Sequence, residues 1–166
     1  AALSVADPLD LTLEDGRSAW RVTGAEDFAL SIAARAPDAG ARALIVFMRP
    51  VQGVPEAGGH PVAGRTTSAA LETMSQADLA ERTAAFQAFG VIETGGATYV
   101  LTGFEDGRIH VAGSGGRVSG TLDARLNAVS IETGAVMDPI TLEARFAAVE
   151  GLGDFSFRSP ESRYVD

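Results

Sequence analysis

A chain of 166 residues suffices for one domain that buries roughly two thirds of the surface its unfolded form exposes. The absence of cysteine excludes disulfides, thiolate zinc sites, iron–sulfur clusters and cysteine nucleophiles. A formal net charge of −9, with all 13 cations arginine, disfavours binding to nucleic acid or to an anionic membrane surface, and no apolar run reaches the ~18–20 residues that span a bilayer.

The chain opens Ala1-Ala2-Leu3-Ser4 rather than on methionine. This supports the expectation of a bacterial protein that is periplasmic or extracellular, its signal peptide removed. The first element is Leu9-Asp10-Leu11-Thr12-Leu13, whose strict apolar–polar alternation has the period of a half-buried strand. Glu14-Asp15-Gly16-Arg17 follows. Asp-Gly is a hairpin-turn dipeptide, so a return strand is expected from Ala19 to Thr23, with Trp20 and Val22 on one face.

Phe28 to Ile32 alternates again, while Ala43 to Met48 is continuously apolar. Continuous apolarity predicts burial on both faces and a central place in a sheet, ended by Pro50. Residues 50–68 are heavily punctuated by glycine and proline, and read as a long loop of the kind that carries function.

Ser75 followed by Asp78 resembles a capping box, and Leu79, Thr83 and Phe86 then recur at helical spacing. The expected helix spans residues 76–89, with Gly90 as its C-terminal stop. The competing reading is a strand from Thr83 to Ile92, because Phe86, Ala88 and Gly90 also alternate. Thr98 to Thr102 reads as a strand, Glu105-Asp106-Gly107-Arg108 as a second Asp-Gly turn, and Ile109 to Val111 as the return. A glycine-rich connection, Gly113 to Gly116, comes next.

Thr121-Leu122-Asp123-Ala124-Arg125-Leu126 and Thr141-Leu142-Glu143-Ala144-Arg145-Phe146 are near copies. Each places an apolar row on one face and an acid and an arginine on the other. Paired antiparallel, the two segments form a hairpin with a dry face and a wet face, on which acid and arginine meet across strands. A last short strand is expected at Phe155 to Phe157, within a C-terminal tail spanning residues 151–166.

Candidate chemistry is sparse. The two histidines, His60 in the Gly/Pro loop and His110 after the second Asp-Gly, follow no metal-ligand spacing, so no metal is expected. The acidic turns lack the alternating oxygen ligands of a calcium loop. Ser114 lies in Gly113-Ser114-Gly115-Gly116, preceded by alanine, which is not the nucleophile-elbow pattern. No phosphate-binding loop follows a strand. No catalytic residue and no cofactor is therefore assigned. The candidate ligand-binding residues are His60, His110, Phe86 and Phe104.

Val118-Ser119-Gly120-Thr121-Leu122 fits the phrase "hydrophobic-Ser/Thr-Gly-Thr-hydrophobic". With the hairpins on either side, the last third of the chain resembles the C-terminal hairpins of β-sandwich domains of unknown function in bacterial exported and lipoprotein-like proteins. That likeness implies an exported β domain and carries over no catalytic residue.

The expected fold is mainly β: an antiparallel β-sandwich or partly open barrel of about eight or nine strands with one α-helix. It forms a single β-rich domain over residues 1–150. The expected function is a non-enzymatic exported binding or assembly domain. Its protein partner, or a second copy, docks on the 50–68 loop or on an unpaired edge strand. The alternatives are a carrier of a small apolar ligand, with a pocket inside the sheet lined by Phe28, Phe47, Phe86 and Phe104, and a small hydrolase using carboxylates and His110.

Overall fold

The structure, a computed structural model, describes residues 1–6, 9–22, 27–49, 53–64, 72–113 and 116–151, with residues 63–64, 81–84 and 102–106 described in backbone only. The expected strand at Phe155 to Phe157, the rest of the tail and Ser114 lie outside the described residues.

Strict alternation builds most of the molecule. The strands are β1 (Ala2–Val5), β2 (Leu11–Leu13), β3 (Asp15–Val22), β4 (Phe28–Ala36), β5 (Ala41–Arg49), β6 (Gly58–Gly64), β7 (Phe86–Thr94), β8 (Ala97–Ala112), β9 (Arg117–Ser130) and β10 (Ile140–Glu150). A helix, α1 (Gln76–Ala84), lies between β6 and β7. All ten described strands belong to one sheet, so the mainly β architecture with one helix is realised as a single sheet rather than two stacked ones.

That sheet closes on itself. β3, β4, β5, β7, β8, β9 and β10 pair in succession, and β10 returns to β3 through a short parallel contact, Val149 with Ala19 and Glu150 with Trp20. Gly151 N–H donates to the Trp20 carbonyl at 3.0 Å beside this junction. Two insertions fill the places where ring strands splay. β6 enters between β7 and the second half of β8, parallel to the former and antiparallel to the latter. β1 pairs with the first half of β10, and β2 with β1.

The interior is a continuous apolar core. Phe28, Leu30 and Ile32 of β4 face Phe47 and Ile45 of β5, and all five are 0–1 % exposed. Alanines alternate with the large residues on the inner wall, among them Ala34, Ala43, Ala88, Ala124 and Ala128. Such small–large alternation is what the limited interior of a small barrel requires.

β5 has the predicted central position, between β4 and β7. Ile45, Val46 and Phe47 are buried in succession, so both faces are covered there. The near-copy segments pair as expected, Leu142 opposite Ala124 and Ala144 opposite Leu122, with the apolar row buried and the charged row exposed. The register sets Glu143 directly opposite Asp123, so acid and arginine are neighbours on the diagonal only.

Several expectations are corrected. Neither Glu-Asp-Gly-Arg segment is a turn: Asp15 to Arg17 lie in β3, and Glu105 to Arg108 lie inside the uninterrupted β8. Leu11 to Leu13 pairs with β1 and not with Ala19 to Val22. Each glycine instead permits a close approach. A Cβ on Gly16 would stand 2.3 Å from the Ala1 carbonyl oxygen, and one on Gly107 would stand 2.6 Å from Ala124 Cβ. The tight turn is Gly95-Gly96, joining β7 to β8 with φ of 56° and 89° at its two residues. Two positive φ values are what a two-residue hairpin with strand-like twist demands.

The Gly/Pro segment is not loop throughout, because Gly58 to Gly64 form β6. Helix α1 stops at Ala84, short of the expected residue 89, and Phe86 to Thr94 are strand, so each competing reading holds for one half. Its start follows the capping logic: Asp78 N–H donates to Ser75 Oγ at 3.1 Å, and the Ser75 hydroxyl donates to Asp78 Oδ2 at 2.6 Å. Leu79, which shares the helical spacing of Thr83 and Phe86, is 45 % exposed.

Candidate functional site

The densest polar–aromatic cluster among the described residues lies at one mouth of the barrel, where β5 ends and β6 begins. Antiparallel pairing sets Arg49 opposite Phe28, and parallel pairing sets Val62 beside Phe86. The alternation of β6 then turns His60 and Val62 to the inner side and Gly59 and Pro61 to the outer side. His60 and Arg49 are both half-buried, whereas Phe86 is fully buried.

Arg49 Nη1 and His60 Nδ1 are 3.1 Å apart, and His60 Nε2 is 2.7 Å from the Glu56 carbonyl oxygen. A guanidinium only donates and a carbonyl only accepts. Nδ1 must therefore offer its lone pair to Arg49, and Nε2 must carry the proton given to Glu56. These two contacts fit the Nε2–H tautomer, with both nitrogens engaged. Below it runs an aromatic row. His60 meets Phe86 edge-on at 5.9 Å, Phe86 meets Phe28 edge-on at 6.1 Å, and Phe28 stacks with Trp20 at 5.9 Å. Arg49 Cζ lies 5.8 Å from the Phe86 ring centroid, within cation–π range.

His110 belongs elsewhere. It pairs with Gly59 and is exposed on the outer wall, its ring and the guanidinium of Arg108 crowding the place where a Gly59 Cβ would stand. The two histidines thus sit one position apart in register but on opposite faces of the sheet. Of the four expected ligand-binding residues, the structure brings together His60 and Phe86 and sets His110 apart. Phe104 pairs with Leu126 through its backbone, and its side chain lies outside the described residues. Trp20 is 5 % exposed, and its Nε1–H donates to the Gly116 carbonyl at 3.3 Å. Among the described residues no three histidine or acidic side chains gather as metal ligands would.

Arg49 was not a candidate in the sequence. Nothing in its spacing links it to His60; only the insertion of β6 between β7 and β8 does. The opposite mouth carries charges of a different kind. Arg35 pairs with Asp15 at 2.6 Å, Arg42 pairs with Glu93, and the Glu132 carboxylate accepts the Thr98 N–H at 2.9 and 3.1 Å. The bond to Glu93 raises the Arg42 pKa, and the Thr98 N–H lowers that of Glu132.

No protein-family model matches this chain, and neither a curated protein nor a solved structure is significantly similar to it.

Proposed function

We propose that the chain is a non-enzymatic binding or assembly domain, exported from the cell, that engages a protein partner or a second copy by adding a strand to its sheet. The observation that carries this reading is β2. Among the described residues it is the one strand with a neighbour on a single side, β1, in a sheet that otherwise closes. Unpaired backbone groups on such an edge are a template for strand addition. The engagement of both His60 ring nitrogens supports a supporting role for this residue rather than a reactive one. The resemblance of the last third to exported bacterial β domains supports export, which cell fractionation tests.

A concentration series by native mass spectrometry, with hydrogen exchange read at each step, tests the assembly. The expected result is an oligomer whose formation slows exchange at Leu11 to Leu13. A strict monomer, or an oligomer that leaves these amides unchanged, contradicts self-assembly through β2. The carrier reading has one observation in its favour: Phe28, Phe47 and Phe86 converge in the barrel core. All three are 0 % exposed, so an apolar ligand has to displace packed side chains to enter. Retained extra mass in the native spectrum of freshly purified protein is the outcome that favours it.

A further inference from the structure

We propose that the occupant of the β2 edge is an extended segment of another protein that carries a cation at each end of a short apolar stretch and bonds to the backbone of Thr12. The inference rests on the strand-addition reading and adds which atoms receive the strand and what chemistry it brings.

The ladder of β1 fixes the atoms. Ala6 N–H donates to the Thr141 carbonyl at 2.9 Å, on the register that pairs Val5 with Leu142. Ala6 and Thr141 are thus a hydrogen-bonded pair, and such pairs alternate along an antiparallel ladder. The backbone groups of Ala2, Ser4 and Ala6 therefore face β10, and those of Leu3 and Val5 face β2. Leu3 is opposite Leu13 and Val5 opposite Leu11, so the N–H and C=O of Leu11 and Leu13 are turned toward β1. Between them, the N–H and C=O of Thr12 point away, to the side on which no described strand pairs. An incoming strand meets one donor and one acceptor at a single residue. Two backbone bonds select little, so side chains decide what binds.

Those side chains are of two kinds. Leu13 is buried and Leu11 half-buried on the core side, which favours apolar residues opposite them. Asp10 and Glu14 bracket the strand. Both are exposed and neither is ion-paired among the described residues, whereas the neighbouring Asp15 is held by Arg35 at 2.6 Å. Continuing the register sets Ala6 beside Asp10 and Ala2 beside Glu14, so β1 supplies no cation to either. A second copy is the weaker occupant. Antiparallel pairing of two β2 strands about Thr12 sets Asp10 against Glu14 twice, between chains that each carry a net charge of −9. A strand with arginine or lysine at both positions turns that repulsion into attraction.

Backbone amide NMR of the labelled protein is followed as two end-capped peptides are titrated, Arg-Val-Thr-Val-Arg and Glu-Val-Thr-Val-Glu. Valine and threonine favour the extended form in both. The expected result is a shifted, slowly exchanging Thr12 amide with the first peptide, at a Kd about tenfold or more below that of the second. The difference shrinks in about 1 M salt, where the screening length falls to ~3 Å. Asp10→Asn combined with Glu14→Gln removes the preference; asparagine tolerates the φ of 48° that Asp10 adopts. Thr12→Pro deletes the outward N–H and no bond to β1, so it abolishes the response with little change in the thermal melt. Equal binding of the two peptides at Thr12 overturns the basic partner and leaves strand addition standing. No response at Thr12 to either peptide overturns both. Binding retained by folded Thr12→Pro overturns the assignment of the bonds.

Discussion

Ser18 faces the inner wall of the barrel opposite Ile32, two residues from the buried Trp20, and its Oγ is buried with no hydrogen-bond partner among the described residues. A hydroxyl left in that state is a cost carried by the folded form. Ser18→Ala is expected to leave the protein as stable or more stable by about 1 kcal/mol in urea unfolding; a clear loss of stability contradicts the unpaired state. Gly107 allows a sharper test. Asn suits a positive-φ turn, but a close backbone approach tolerates no side chain, least of all a larger one. Gly107→Ala is expected to destabilise by about 1–3 kcal/mol, and Gly107→Asn by more. The reverse order would restore the turn reading. Glu132 predicts a pH effect. Its carboxylate is held below the ordinary range mainly by the Thr98 N–H, so its contribution is present above the unfolded-state value, ~4.3, and is lost as pH falls through the lowered folded value. Thermal melts of Glu132→Gln are expected to show a shallower acid limb than the parent protein, with the two converging at the lowest pH.

At the scale of elements, what the sequence made legible was the two-residue period. Leu122, Ala124 and Leu126 announce their face without help, and so do Leu142, Ala144 and Phe146. The capping pair Ser75 and Asp78 announces the start of α1 equally well. Asp-Gly failed because its turn propensity is local, while Gly16 and Gly107 answer tertiary neighbours, Ala1 and Ala124. The same blindness hid half of the site. His60 was visible as a histidine among glycines and prolines, but Arg49 becomes its partner only through β6, and the opposition of His60 and His110 only through register. Helix α1 ends early because Phe86 gains more inside the barrel, edge-on to Phe28, than on a helix whose Leu79 faces water. Phe86→Ala is accordingly expected to cost about 3–5 kcal/mol, measured by urea unfolding, whereas Leu79→Ala is expected to cost under about 1 kcal/mol.

For the whole molecule, the decisive feature is closure. A ring of strands has no edges, so β2, which among the described strands pairs on one side only, is the edge to which the proposed partner would add its strand. That reading depends on the junction between β10 and β3, which rests on two residue pairs and the Gly151 to Trp20 bond. Site-resolved amide hydrogen exchange on dilute protein at neutral pH tests that junction directly. A closed barrel predicts slow exchange at Gly151 and along the facing stretches of β3 and β10, comparable with β4 and β5, and fast exchange at the outward amides of Leu11 to Leu13. Fast exchange at Gly151 and along the facing backbone of β3 and β10 would mean an open sheet with further free edges, and would contradict the closed barrel.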